Sequence, residues 1–159
     1  MIANAIVISK LIYLIQWWGG CSEYLINFLQ ILQNRAGRLV TKHGQYTPNR
    51  VVLNQCGWLS VRQLIHYHSL LLLFKVKLQA KPEYFKSAFT TEFPYRTRLA
   101  TGLGVRRDDH HHHDVTRRSF IPRTISVWNE LPTSLRSSNT VDQFKRNLKS
   151  WIKVNIPFE

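Results

Sequence analysis

The stretch from Arg117 to Ile152, RRSFIPRTISVWNELPTSLRSSNTVDQFKRNLKSWI, limits the possible folds more than any other. Ser119-Phe120 leads into Pro122, whose preset φ and absent N–H suit the first turn of a helix. Ile125, Trp128 and Leu131 then recur at three-residue steps as a short apolar stripe, and Pro132 stops the helix. Thr140 and Gln143 have the spacing of a capping box at the head of a second helix. That helix carries Val141, Phe144, Leu148 and Trp151 on one stripe, with Lys145, Arg146, Lys149 and Lys153 off it. Two short helices cannot bury these tryptophans and this phenylalanine against each other alone. The stretch is therefore expected to close an earlier core.

The upstream chain is expected to supply that core. Residues 23–42 make a two-sided helix, with Leu25, Phe28, Leu29, Leu32, Ala36 and Leu39 as the expected core stripe. Asn27, Gln30, Asn34, Arg38 and Thr41 form the opposite face, with Arg35 and Lys42 at its margins. Thr47-Pro48 opens a short helix to about residue 55, which Gly57 is placed to terminate. Ser60 with Gln63 is a second capping box, opening a helix to about residue 80 whose block Leu70–Phe74 marks it as central. Pro82 opens a last helical turn. Residues 2–18 predict a helix apolar all round, since Asn4, Ser9, Lys10 and Gln16 share no face, and Gly19-Gly20 ends it. Such a helix wants cover on every side, so the core of residues 1–87 is expected to lack an N-terminal neighbour.

Residues 88–118 break the helical period, with Gly102, Gly104 and a polar tract in its place. A loop of this length inside a domain usually carries function or is disordered. The expected fold is all-α: an irregular helical bundle (1–87), a long Arg/His-rich loop (88–118) and a C-terminal two-helix cap (119–159), one domain overall.

Charge says what such a domain meets. Of 22 basic and nine acidic residues only Lys10 and Glu23 fall within residues 1–34, so the rest of the chain carries the whole net charge of +13. A folded domain this basic points to an anionic partner, foremost the phosphate backbone of RNA or DNA. The expected contacts are Arg96, Arg98, Arg106, Arg107, Arg117, Arg118 and Arg123 around the loop. Arg35 and Arg38 on the 23–42 helix and Lys145, Arg146 and Lys149 on the last helix extend them. Tyr95 and Phe120 flank the loop arginines as stacking groups or as core anchors; both roles leave the arginines facing solvent.

Enzyme chemistry finds little footing. Asp108-Asp109 has Arg106 where a polymerase hairpin would place an aromatic, and lacks a flanking strand pattern. His110–His113 are consecutive, not spaced for tetrahedral convergence, so neither a metal site nor a cofactor is expected. His66 and His68 face different ways, His68 as a core histidine. Gly102-x-Gly104 lacks the third glycine of a nucleotide loop. Cys21 and Cys56 make no disulfide framework and suit buried free thiols in a reducing, intracellular compartment, nucleus or cytoplasm. The apolar runs are shorter than the roughly 20 residues of a membrane span, and no secretory signal is evident.

Several blocks in order resemble one family. Residues 29–38, LQILQNRAGR, are similar to a block downstream of the palm in reverse transcriptases of non-LTR (LINE-type) retrotransposons. Thr47-Pro48, Gly57-Trp58-Leu59-Ser60-Val61, Tyr95-x-Thr97-Arg98, Ser119-Phe120-x-x-Arg123, Trp128-Asn129-x-Leu131-Pro132 and Phe144-Lys145 follow in the family's sequence. The resemblance runs from about Val7 to Ile156. It implies a thumb-like helical region that holds a template–primer duplex. The fingers and palm, with the catalytic aspartates, belong upstream, so this chain is expected to be non-catalytic by itself although its parent family is an RNA-directed DNA polymerase. The resemblance also implies the fingers/palm portion as a partner. An interaction module docking on a separate polymerase chain, or a decayed element without function, are the alternatives.

Overall fold

A computed structural model describes residues 4–79, 89–90, 104–105 and 118–158. Among these the architecture is all-α, apart from one two-residue antiparallel pairing. The helices are α1 (Ser9–Ile12), α2 (Ile15–Trp18), α3 (Glu23–Thr41), α4 (Asn49–Cys56), α5 (Val61–Gln79), α6 (Phe120–Glu130), α7 (Thr133–Arg136) and α8 (Val141–Asn155). The chain forms two compact units: residues 1–68 with 149–159, and residues 69–148. Both α5 and α8 contribute residues to each.

Capping chemistry sets the helix ends much as expected. Ser60 N–H donates to Gln63 Oε1 at 3.2 Å while Gln63 N–H donates to Ser60 Oγ at 3.3 Å, the reciprocal pair of a capping box. Gln143 N–H donates to Thr140 Oγ1 at 3.3 Å ahead of α8. Gly57 closes α4 at φ +71°, a left-handed geometry that glycine reaches without a Cβ clash. Pro122 lies in the first turn of α6, and Leu131-Pro132 ends it. The cap then contains one element beyond the expected two helices. Pro132 starts the four-residue α7, which buries Leu135.

The N-terminal segment departs from the continuous helix expected over residues 2–18. A wide π-helical turn (Asn4–Ile8) feeds α1, and the chain then breaks at Tyr13-Leu14, where Leu14 takes φ 48°. The Trp18 indole N–H donates to the Tyr13 carbonyl at 2.9 Å, satisfying a group the break leaves open. Burial is also uneven: Ile15 is fully buried while Tyr13, Leu14 and Trp17 are exposed. The break lets Ile15 turn inward without its neighbours. Ile15, Ile26, Leu59, Val61, Leu64 and Ile65 form the core of the first unit, edged by Ile8, Leu11, Ile12, Trp18 and Leu29.

The largest correction concerns α3. Its bounds are as expected, but its buried side is turned away from most of the expected stripe. Of the expected core stripe, Leu25, Phe28, Leu32 and Leu39 are exposed, Leu39 at 84%, while Ala36 and Leu29, the latter against the core of the first unit, are half-buried. Ile26, Gln33, Asn34 and Gly37 are buried instead. The physical reason lies in paired polar groups. Gln33 Nε2 donates to the Leu59 carbonyl at 2.9 Å, and Gln30 Oε1 accepts the Val61 N–H at 2.8 Å, one of the donors a helix N-terminus leaves without an intrahelical partner. Gln30 Nε2 also donates to Gln33 Oε1 and Asn34 Oδ1, at 3.0 and 2.8 Å. A buried amide whose bonds are made carries little penalty, so this face can turn inward.

In the second unit the cap aromatics find their receiver on α5. Phe74 and Phe144 stack with centroids 4.0 Å apart and planes within 5°. Trp128 tilts against Phe144 at 6.1 Å, and all three side chains are essentially buried. The Lys77 ammonium stands 5.6 Å from the Trp128 ring centroid, a cation–π contact.

Candidate nucleic-acid interface

The expected phosphate-contacting residues fall into three groups. Arg96, Arg98, Arg106, Arg107 and Arg117 lie outside the described residues, as do Tyr95, Asp108-Asp109, His110–His113 and the Pro82 turn. Within the loop the described part, apart from Arg118, is the pairing of Phe89–Thr90 with Gly104–Val105, in the register Phe89↔Val105 and Thr90↔Gly104. A strand pairing was not legible there, because two residues are too few for an alternating pattern.

The second group is engaged in the fold. Arg38 is half-buried, and its Nη2 donates to the Thr47 carbonyl at 3.0 Å and to Asn49 Oδ1 at 2.6 Å, pinning the turn before α4 to α3. Arg123, also half-buried, donates from Nη1 to the Arg118 carbonyl at 3.1 Å, tying α6 to the residue that enters it. These guanidiniums hold backbone carbonyls. Part of their donor capacity is thereby spent within the chain.

The third group faces solvent. Arg35 on α3, Arg118 ahead of α6, and Arg146 and Lys149 on α8 are exposed. Lys145 is half-exposed and meets Asp142 at 3.3 Å, a surface pair worth well under about 1 kcal/mol. Along α8, Phe144, Leu148 and Ile152 are fully buried, so the off-stripe positions Lys145, Arg146 and Lys149 are turned outward by the packing of the opposite side. Such a row of cations has the chemistry to neutralise phosphates without reading bases.

Two cations that sequence analysis did not assign to a site line one cleft in the first unit. Arg50 and Lys153 share a cleft of about 400 Å³ with Asn54, Trp58, Gln63 and the C-terminal residues 154–158. Their separation of about a hundred positions in the chain left no local signal.

Other candidate chemistry is quiet among the described residues. No group of histidine, cysteine, aspartate and glutamate side chains there can hold a metal ion. Cys21 and Cys56 are free and half-buried, and burial pushes the Cys56 thiol above its ordinary pKa. Tyr67 and His68 contact edge-to-face at 5.2 Å on α5, and His68 is half-buried. No described helix is long and apolar enough to cross a membrane. No protein-family model, curated protein or solved structure matches this chain.

Proposed function

We propose that this chain is the thumb-like, C-terminal segment of a non-LTR retrotransposon reverse transcriptase, non-catalytic alone and binding template–primer nucleic acid without sequence readout. In this reading the fold is an irregular bundle in which the Arg/His-rich loop of residues 88–118 and the C-terminal cap present cations to a phosphate backbone. The chain works in the nucleus or cytoplasm beside a fingers/palm portion. The ordered family blocks support it. The observation that carries it is the confinement of the whole +13 charge to residues 35–159, with Arg146 and Lys149 exposed on α8.

Electrostatic binding has a definite signature. With about six phosphates contacted, log K falls against log salt with a slope of about −4 to −5. Fluorescence anisotropy of labelled duplex and single strand at several salt concentrations measures it. Absence of binding at about 50 mM salt overturns the proposal, since counterion release is strongest when salt is low.

A second reading, an interaction module docking on a separate polymerase chain, draws support from the exposed apolar row of α3, Leu25, Phe28, Leu32 and Leu39, together with Trp17. Sedimentation of the isolated chain separates the two: a salt-insensitive dimer or larger assembly without nucleic-acid affinity favours the module.

A further inference from the structure

The cleft of the first unit is built differently from the cationic surface around it. Its floor is fixed. Gln63, almost fully buried, accepts from Ser60 N–H and donates from Nε2 to the Ile156 carbonyl at 3.1 Å, so the amide is committed on both sides. The Trp58 indole N–H is committed to Asn4 Oδ1, which fixes the ring plane. Ile156 is buried, and Phe158 stands half-buried beside it.

The rim is the reverse. Arg50, Asn54 and Lys153 are exposed, and among the described residues none of their side chains has a hydrogen bond or an ion pair. The described lining contains no carboxylate. Among the described residues, two cations without a charged partner and a free amide thus border a wall lined by the half-buried Phe158 and the edge of Trp58, which is 5% exposed. A volume of about 400 Å³ is within the range of small-ligand sites.

We propose that this cleft is a nucleotide site: a terminal phosphate monoester is held by Arg50, Lys153 and the Asn54 amide, and the base lies against Phe158 beside the buried Trp58. A phosphate monoester carries about −1.5 to −2 charge at neutral pH, which two cations match; a carboxylate or an internal phosphodiester carries only one. Arginine offers the planar fork that phosphate oxygens accept, and lysine adds a point charge. The aromatic wall favours a planar body over a bare ion, because every base has a stackable face. The ligand is a free mononucleotide or the phosphorylated end of a strand. The proposal does not rest on the thumb-like reading, whose cations lie elsewhere.

Calorimetric titration of the full chain with adenosine monophosphate, inorganic phosphate and adenosine tests it. The monophosphate is expected to bind with a dissociation constant of about 1 mM or tighter, at least about fivefold below either component. The double variant Arg50→Gln/Lys153→Gln is expected to lose at least about tenfold, with its melting temperature unchanged because both residues are exposed. An oligonucleotide bearing a 5′-phosphate, compared with its 5′-hydroxyl twin, identifies the source: tighter binding of the phosphorylated strand assigns a strand end, and equal binding assigns a free nucleotide. Inorganic phosphate binding as well as the monophosphate overturns the proposal, and so does undiminished affinity in the double variant. Duplex affinity and its salt slope, read on the same variant, report on the thumb-like reading separately, so each proposal fails by its own measurement.

Discussion

Gly37 packs directly against α4. A Cβ built there meets Val52 Cγ1 at 2.9 Å and Leu53 Cδ2 at 3.4 Å, and both partners are fully buried. Gly37→Ala gains about 1 kcal/mol of helix propensity but overpacks a stiff β-branched neighbour, costing about 1–3 kcal/mol. A net destabilisation of about 1 kcal/mol is expected from urea unfolding. Gln33 makes a second test. Gln33→Leu keeps the volume but leaves the Leu59 carbonyl without its donor, and is expected to lose about 1–3 kcal/mol. A residue assigned by hydropathy to the solvent side would show almost nothing. Cys56 adds a pH-dependent case. Its raised pKa leaves less thiolate in the folded chain than in the unfolded chain at pH 8, so alkylation of Cys56 is expected to be slower folded than in urea. The sign follows from desolvation, which disfavours the anion.

At the level of elements the orientation of α3 decides most. Ile26 and Leu39 lie on the same helix, 7% and 84% exposed. Ile26→Ala is expected to cost about 2–4 kcal/mol and Leu39→Ala less than about 0.5 kcal/mol in urea unfolding. Were the apolar stripe the buried one, the two values would exchange places. The cap is tested through Trp128, which is 2% exposed against Phe144. Trp128→Ala is expected to cost about 3–5 kcal/mol by the same measurement. Several helix ends were legible because they carry their own chemistry. Ser60 and Gln63 lie three residues apart, and so do Thr140 and Gln143; Gly57 and Pro132 act on their immediate neighbours. The break at Leu14 was not legible. No glycine or proline marks it, and it follows from Ile15 reaching the core.

For the whole molecule, the candidate interface was legible as composition and only partly as place. The concentration of basic residues after residue 34 is plain in the chain, and the outward position of Arg146 and Lys149 follows from the buried stripe Phe144–Leu148 opposite them. Arg38 and Arg123 were equally basic in sequence. Their use as ties to backbone carbonyls depends on Thr47, Asn49 and the Arg118 carbonyl being brought within reach. Charge reversal at exposed positions should therefore separate binding from folding. Arg146→Glu with Lys149→Glu is expected to weaken duplex binding at least about tenfold while leaving the melting temperature within a few degrees. Arg38→Ala is expected to lower the melting temperature, because its hydrogen bonds lie inside the fold.

The sequence by itself determined the all-α class, the approximate bounds of α3, α4, α5, α6 and α8, and the caps at Ser60, Thr140 and Gly57. Each of these depends on residues within one helical turn of one another. Only the tertiary structure decided which side of α3 is inside. Periodicity places the apolar stripe inward by default, and that default fails when amides such as Gln30 and Gln33 find partners on Leu59 and Val61, some thirty positions away. The pairing of Arg50 with Lys153 around one cleft is of the same kind. Local rules act through the chain, whereas hydrogen-bond satisfaction and charge proximity act through space.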